Sequence, residues 1–196
     1  MPKQDWIENN VQRIFQREEL YPTGRIKTVL DVGCGLSLKS QYINAEIRVG
    51  LDIYRPYLEK IEAEVPYVTI NADALEIGKL FLPRSFDLVL LLDIIEHLEK
   101  NDALYLLDMA EEIARVAVII ETPKGYIPQD IDIWGWGGHT YQTHRCGWEP
   151  EEFTARGYQV VLRDYTMSDV RRHTELEIDP HIQMINAIKR FDLEDK

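Results

Sequence analysis

Short apolar runs alternate with helical patterns along most of the chain. Val29-Leu30-Asp31-Val32 ends in glycine, as a buried strand feeding a tight turn does, and Ile47 to Leu51 and Tyr67 to Ile70 read as further strands. Phe86 to Leu92 and Val116 to Ile120 are nearly all apolar, the signature of strands buried on both faces. Between them Ala103, Leu106, Leu107, Ala110, Ile113 and Ala114 recur on one helical face, with Asn101 placed to cap its start. Ile7, Val11, Ile14 and Phe15 predict an amphipathic helix within residues 1–24. The alternation predicts an α/β fold, a doubly wound and mostly parallel sheet with helices on both faces.

After Ile120 the rhythm breaks. Residues 126–148 hold Trp134, Trp136 and Trp148, four glycines, and the two histidines His139 and His144. Such a stretch makes a poor strand or helix but a good loop over a site, and it is expected to cover the acceptor end. Glu149 to Arg156 reads as a short helix ended by Gly157, followed by strands at Tyr158 to Arg163 and His181 to Arg190. Residues 167–180 read as loop and residues 192–196 as a frayed end. There is no internal repeat, linker or low-complexity segment, so residues 1–196 read as a single domain.

Composition narrows the function. The chain of 196 residues has 22 Lys+Arg against 34 Asp+Glu, a net charge of −12 that gives no general attraction to nucleic acid. Two cysteines make no disulfide framework, and the polar start from Met1 to Asn10 has no signal-peptide core. The longest apolar runs are five residues, against the ~20 needed to span a bilayer. A cytoplasmic protein with no membrane partner is the expectation.

The chemistry concentrates after the first strand, in Asp31-Val32-Gly33-Cys34-Gly35-Leu36-Ser37. Glycines there let backbone approach a ligand closely. Asp52 follows the second strand, 21 residues after Asp31, where an acid can accept both hydroxyl protons of a ribose. Asn71-Ala72-Asp73-Ala74 follows the third strand, so three polar points share the carboxyl ends of adjacent strands. The dinucleotide fingerprint G-x-G-x-x-G/A fails, because Leu38 stands at its last position. With no hydride-handling constellation in view, a nicotinamide oxidoreductase is disfavoured.

Asp-x-Gly-x-Gly resembles instead the first motif of class I S-adenosylmethionine-dependent methyltransferases, small-molecule type. Further along, Phe86-Asp87-Leu88-Val89, Leu92-Asp93-Ile94-Ile95-Glu96-His97-Leu98 and Trp148-Glu149-Pro150-Glu151-Glu152-Phe153 resemble later segments of that family, so the likeness runs over roughly residues 25–165. It implies a Rossmann-like sheet of seven strands with the last antiparallel, and S-adenosyl-L-methionine as cofactor. It implies that Asp31 serves the cofactor's amino group, Gly33 and Gly35 its close backbone contacts, and Asp52 with Ile53 its ribose side. Asp73 and Ala74 fall on its adenine side, and Asp93 at its methionine end. Where the family often has a third glycine, this chain has Ser37.

For the acceptor, His97, His139 and His144 are the candidate general bases. Each has a bland counterpart: His97 as a helix-start residue pinned to nearby backbone, His139 and His144 as solvated loop side chains. Trp134, Trp136 and Tyr141 either wall an acceptor pocket or pack the insertion onto the sheet. His139, His144 and Cys146 lack a paired Cys-x-x-Cys and a convincing fourth ligand, so no metal site is expected. Asp93-Ile94-Ile95-Glu96 stands where exocyclic-amine DNA methylators carry Asn/Asp-Pro-Pro-aromatic. The expected activity is methyl transfer to a small molecule such as a sugar or other metabolite, with oxygen favoured. Arg171 and Arg172 are placed to meet an anionic group on it or to lie in solvated loop. The alternative is a catalytically inactive cofactor-binding regulatory or partner subunit.

Overall fold

The computed structural model describes residues 26–36, 39–40, 43–166 and 181–191. The expected N-terminal helix, Ser37, Leu38, the 167–180 loop with Arg171 and Arg172, and the end at 192–196 lie outside these residues. Seven strands form one sheet: β1 Thr28–Val32, β2 Ile47–Asp52, β3 Val68–Asn71, β4 Phe86–Leu92, β5 Ala114–Pro123, β6 Gln159–Thr166 and β7 His181–Arg190. Their order is β3-β2-β1-β4-β5-β7-β6. Strands β1 to β5 pair in parallel, and β7 runs antiparallel to both β5 and β6. This is the Rossmann-like sheet with an antiparallel last strand that the sequence predicts.

Every residue of β4 is buried, as its unbroken apolar run requires of a central strand. Its side chains alternate between two cores. Val89 and Leu91 join Leu30 and Val32 beneath the helix Lys100–Ile113, while Leu88, Leu90 and Leu92 join Val29 and Ile119 on the opposite face. That helix buries Ala103, Leu106, Leu107, Ala110 and Ile113, the predicted stripe. Among the described residues no helix is long and apolar enough to cross a membrane.

Two boundaries differ from expectation. The long helix starts at Lys100 with Glu99 in the cap position, so Asn101 lies inside the first turn and caps nothing. Strand pairing begins at once after Ile113, which draws Ala114 out of the helix and into a ten-residue β5 that also takes in Glu121 and Thr122. Among the described residues the remaining helices are short: α1 Arg55–Leu58, α2 Ile77–Leu80, then α3 (the long helix), α4 His139–Gln142 and α5 Pro150–Ala155. Gly157, at φ +85°, stops α5 where the sequence places its end.

At the amino edge of the sheet, Asp87 ties three strands together. Its Oδ2 accepts the amides of Lys27 (2.7 Å) and Thr28 (3.1 Å), and its Oδ1 accepts Nε of Arg115 (2.9 Å). Burial alone would raise this carboxyl, but Arg115 and the two amides outweigh it and hold it below the ordinary range. Asp87→Asn should therefore destabilise the fold by about 2–3 kcal/mol in denaturant melts. Because the folded-state carboxyl is lowered, its stabilisation is present above the ordinary carboxylate pKa and lost as pH falls through the lowered value. The wild-type and variant melts should converge in acid.

Candidate functional site

Parallel register aligns the strand ends. Val32 sits opposite Leu51 and Leu91, Asp52 opposite Asn71, and Leu92 opposite Glu121. Gly33, Asp52, Asp73, Asp93 and Glu121 therefore follow one line along the carboxyl edge, across the five strands β3-β2-β1-β4-β5. In open α/β sheets that edge is where ligands bind.

The glycine turn bends as its residues dictate. Gly33 and Gly35 have φ of +69° and +51°, in the left-handed region, and the amides of Gly33 and Cys34 both donate to the carbonyl of Leu51 at 2.7 and 3.0 Å. Asp52 locks the turn to the end of β2. Its Oδ2 accepts the Gly35 amide at 2.9 Å and its Oδ1 the Tyr54 amide at 2.7 Å. Burial raises the Asp52 carboxyl while these two donors pull it back. Ile53 lies beside it, exposed, and Asn71 Nδ2 bridges the carbonyls of Asp52 and Ile53. Asp73 caps the 3-10 turn Ala74–Glu76 by accepting the Leu75 amide, which leaves Ala74 buried beneath.

Asp31 is buried behind the turn and receives the Tyr67 hydroxyl at 3.2 Å. Burial pushes its carboxyl up to about 6 against the hydrogen bonds of Ser40 and Tyr67 and the charge of Lys39. Tyr67 reaches it by crossing over Gly50, where any Cβ would collide with the phenol ring and with Cys34 Sγ. Asp93 has φ +55°, rare for a residue with a side chain, and is fixed by its amide to the Glu121 carbonyl (2.8 Å) and by Lys39 Nζ (2.5 Å). Lys39 also contacts Glu121, whose other oxygen takes Arg163 at 2.8 Å.

Sequence reasoning missed Glu121, Lys39 and Tyr67. A glutamate directly after five apolar residues in a central strand is the signal that could have found the first, and a glycine inside a strand the last. It also missed the anchor of the insertion. Asp132 accepts the amides of Trp134 (2.9 Å), Trp136 (2.7 Å) and Gly138 (2.9 Å), and the Tyr57 hydroxyl at 2.7 Å. Burial would raise Asp132, but these four donors outweigh it and lower the carboxyl. Tyr54 adds a hydrogen bond from its hydroxyl to the Trp136 carbonyl at 2.8 Å.

The insertion thus docks on α1, right after Asp52. Trp134 Nε1 lies 3.9 Å from where a Gly35 Cβ would be, so this side chain sits over the glycine turn. The Trp136 ring is half exposed beneath Lys60, and Tyr141 packs on Tyr54 at 5.6 Å between centroids.

Of the three candidate histidines the structure brings two together. His97, in the 3-10 turn Ile95–His97, and His144, on the returning leg of the insertion, have ring centroids 4.8 Å apart. Burial and then the neighbouring His144 hold His97 down at about 4, and burial lowers His144 as well, so both rings are neutral at pH 7. His139 begins α4 and stands exposed. Glu96 is buried beside them, accepts the Thr122 hydroxyl at 2.9 Å, and is pushed well above the carboxylate range by burial and by Asp93.

Residues 30–118 match the family described as "Methyltransferase domain". Similar solved structures include a SAM-dependent methyltransferase from Archaeoglobus fulgidus. It is 18% identical, with 93% of this chain and 94% of that chain covered at a TM-score of 0.59. Magnesium protoporphyrin IX methyltransferase from Synechocystis, with bound S-adenosylhomocysteine, is 15% identical over 95% of this chain and 83% of that one, TM-score 0.57. The N-methyltransferase NodS from Bradyrhizobium japonicum, also in complex with S-adenosylhomocysteine, is 13% identical over 96% and 87%, TM-score 0.60. At such identities the likeness is one of fold. No curated protein matches the sequence significantly.

The Asp132 anchor makes a structural prediction independent of ligand. Asp132→Ala leaves three amides without an acceptor, so hydrogen exchange at Trp134, Trp136 and Gly138 should accelerate by roughly 10–100-fold while β4 keeps its protection. Unchanged exchange at those amides would show that the insertion is held by its aromatic packing.

Proposed function

We propose that this chain, a class I S-adenosylmethionine-dependent methyltransferase by its domain match and its sheet order, transfers the cofactor's methyl group to a small polar acceptor, with oxygen as the favoured acceptor atom. The observation that carries this reading is the line of groups along the carboxyl edge, roofed by an insertion that is anchored right next to it. S-adenosylmethionine is a sulfonium cation, and Asp31, Asp52, Asp73 and Asp93 offer it a row of carboxylates on a chain of net charge −12.

Asp52 holds the ribose hydroxyls with the oxygen lone pairs that Gly35 and Tyr54 do not use, and Ile53 lies beside it at the mouth of the cleft. Asp73, fixed by its capping bond, takes the adenine amine over Ala74. Asp31 and Asp93 serve the methionine end, with Gly33 and Gly35 giving the backbone approach. The transfer itself is a direct displacement. The acceptor hydroxyl gives up its proton to solvent before the site closes, its oxygen bonds to the methyl carbon, the carbon–sulfur bond breaks, and sulfur leaves as a neutral thioether with the electron pair. Much of the catalysis is alignment in a site closed to water.

Two features support a small acceptor with a hydroxyl. The insertion reaches the edge at both ends, with Trp134 over Gly35 and His144 against His97, so the acceptor meets side chains of the insertion and not an open groove alone. Neutral His97 and His144, next to Asp93, place nitrogen ligands at the end of the edge, where they position a hydroxyl directly or through a bound ion. The reading is tested by calorimetric titration with S-adenosylmethionine and S-adenosylhomocysteine, followed by a screen of hydroxylated metabolites for transfer of labelled methyl. Binding without transfer to any hydroxyl acceptor, but with transfer to amines, would overturn the choice of oxygen.

Asp52→Ala should weaken both ligands by about 10–100-fold, since a buried hydroxyl pair loses a charged partner worth ~1–3 kcal/mol. Affinity indistinguishable from wild type would remove Asp52 from the ribose site.

A further inference from the structure

The cluster of Glu96, His97 and His144 has the composition and geometry of a metal site. One ring nitrogen from each histidine and one Glu96 oxygen all lie within 4.8 Å of one another. His144 Nδ1 is 2.6 Å from the Ile127 carbonyl. A carbonyl only accepts, so Nδ1 carries the proton and Nε2 keeps its lone pair. His97 Nδ1 lies 3.4 Å from the Thr143 carbonyl, and the Gln142 backbone also bonds this ring. A ring whose one nitrogen donates to backbone while the other stays bare is the usual state of a metal-ligating histidine. Glu96 is oriented in its turn by the Thr122 hydroxyl.

The scaffold is built for this meeting. The Glu96 carbonyl accepts the amides of Arg145 (2.8 Å) and Cys146 (3.3 Å), so the turn after β4 and the returning leg of the insertion are joined at the cluster itself. Glu96 is otherwise a costly choice, a carboxyl buried close to the charge of Asp93, and a bound dication offsets that cost. These are not the residues whose spacing first suggested zinc. The Cys146 thiol is turned to the Ile95 carbonyl at 3.3 Å, and His139 stands exposed.

We propose that Glu96, His97 and His144 bind a first-row transition dication beside the acceptor site. Two imidazoles and one carboxylate suit the borderline metals from manganese to zinc better than magnesium or calcium, which take all-oxygen sets. Ligand atoms around such an ion stand about 3–3.5 Å apart, so binding draws the three groups inward by roughly 1–2 Å. Three protein ligands leave positions open, and oxygen donors of the acceptor fill them. The proposal rests on the methyltransferase reading only for this last role, not for the binding of the ion.

The test is titration of the chelator-treated full chain with Co2+ and, separately, Zn2+. Calorimetry gives stoichiometry, and the visible absorption of the Co2+ form reports nitrogen–oxygen coordination. One ion per chain in the micromolar range or tighter is expected. Glu96→Gln and His144→Asn should each weaken Co2+ by about tenfold or more, while His139→Ala and Cys146→Ser leave it unchanged. Titration of each variant with S-adenosylhomocysteine shows that it is folded. No stoichiometric binding of either ion to the wild-type chain would overturn the proposal, as would equal Co2+ affinity in the Glu96 and His144 variants. Loss of S-adenosylhomocysteine binding by the wild-type chain, with Co2+ binding intact, would overturn the methyltransferase reading and leave the ion site standing.

Discussion

The two oxygens of Asp52 each accept a main-chain amide, one from the glycine turn after β1 and one from the segment entering α1. Neither wall of the cleft is held where it is by its own strand alone. The turn needs left-handed backbone at Gly33 and Gly35, and that backbone needs an acceptor for the amide it turns inward. A carboxylate at the end of the neighbouring strand supplies it, with lone pairs to spare for a ligand. The same buried group fixes the shape of the cleft and its charge, so the geometry exists before any ligand arrives.

Charge organises the rest of the edge. Burying Asp31, Asp52, Glu96 and Glu121 within one row is unfavourable unless each has a partner. Glu121 has two cations, Lys39 and Arg163, and Asp52 has two amides. Asp31 has the hydroxyls of Ser40 and Tyr67 and the nearby charge of Lys39, Glu96 has the hydroxyl of Thr122, and burial raises both carboxyls as it does that of Asp52. The groups left least well compensated flank the middle of the site, one behind the glycine turn and one beside the paired histidines. A cationic ligand at the first and a metal ion at the second are the chemical complements of that arrangement.

What was legible in the sequence was local. Strand runs, the glycine turn and the acids at strand ends are set by two or three adjacent residues, and their alignment follows from parallel register once the strand order is known. What was not legible depends on partners far apart along the chain. Tyr57 meets Asp132 across 75 residues and Lys39 meets Glu121 across 82, and no periodicity announces either. Asn101 shows the reverse failure. Its type suits a helix cap, but extended backbone at Glu99 puts the cap two residues earlier and leaves Asn101 in the first turn. His97 and His144 were both visible as candidates, yet nothing in their spacing gives their 4.8 Å approach, which the stitching of Glu96 to Arg145 and Cys146 creates.

One residue joins the carboxyl edge to its roof. The Tyr54 amide binds Asp52, and its hydroxyl binds the Trp136 carbonyl within the insertion. Tyr57, one turn on, binds Asp132, while the far end of the insertion carries His144 to His97. A ligand drawing on Asp52 therefore acts on the same short segment that fastens the roof. The roof's fastenings are a few hydrogen bonds at a partly exposed surface, each worth about 1 kcal/mol net. The sheet beneath is held by strand pairing and two buried cores. Binding at Asp52 and the hold on the insertion are thus coupled through one short segment, Tyr54 to Tyr57, and not through the cores of the sheet.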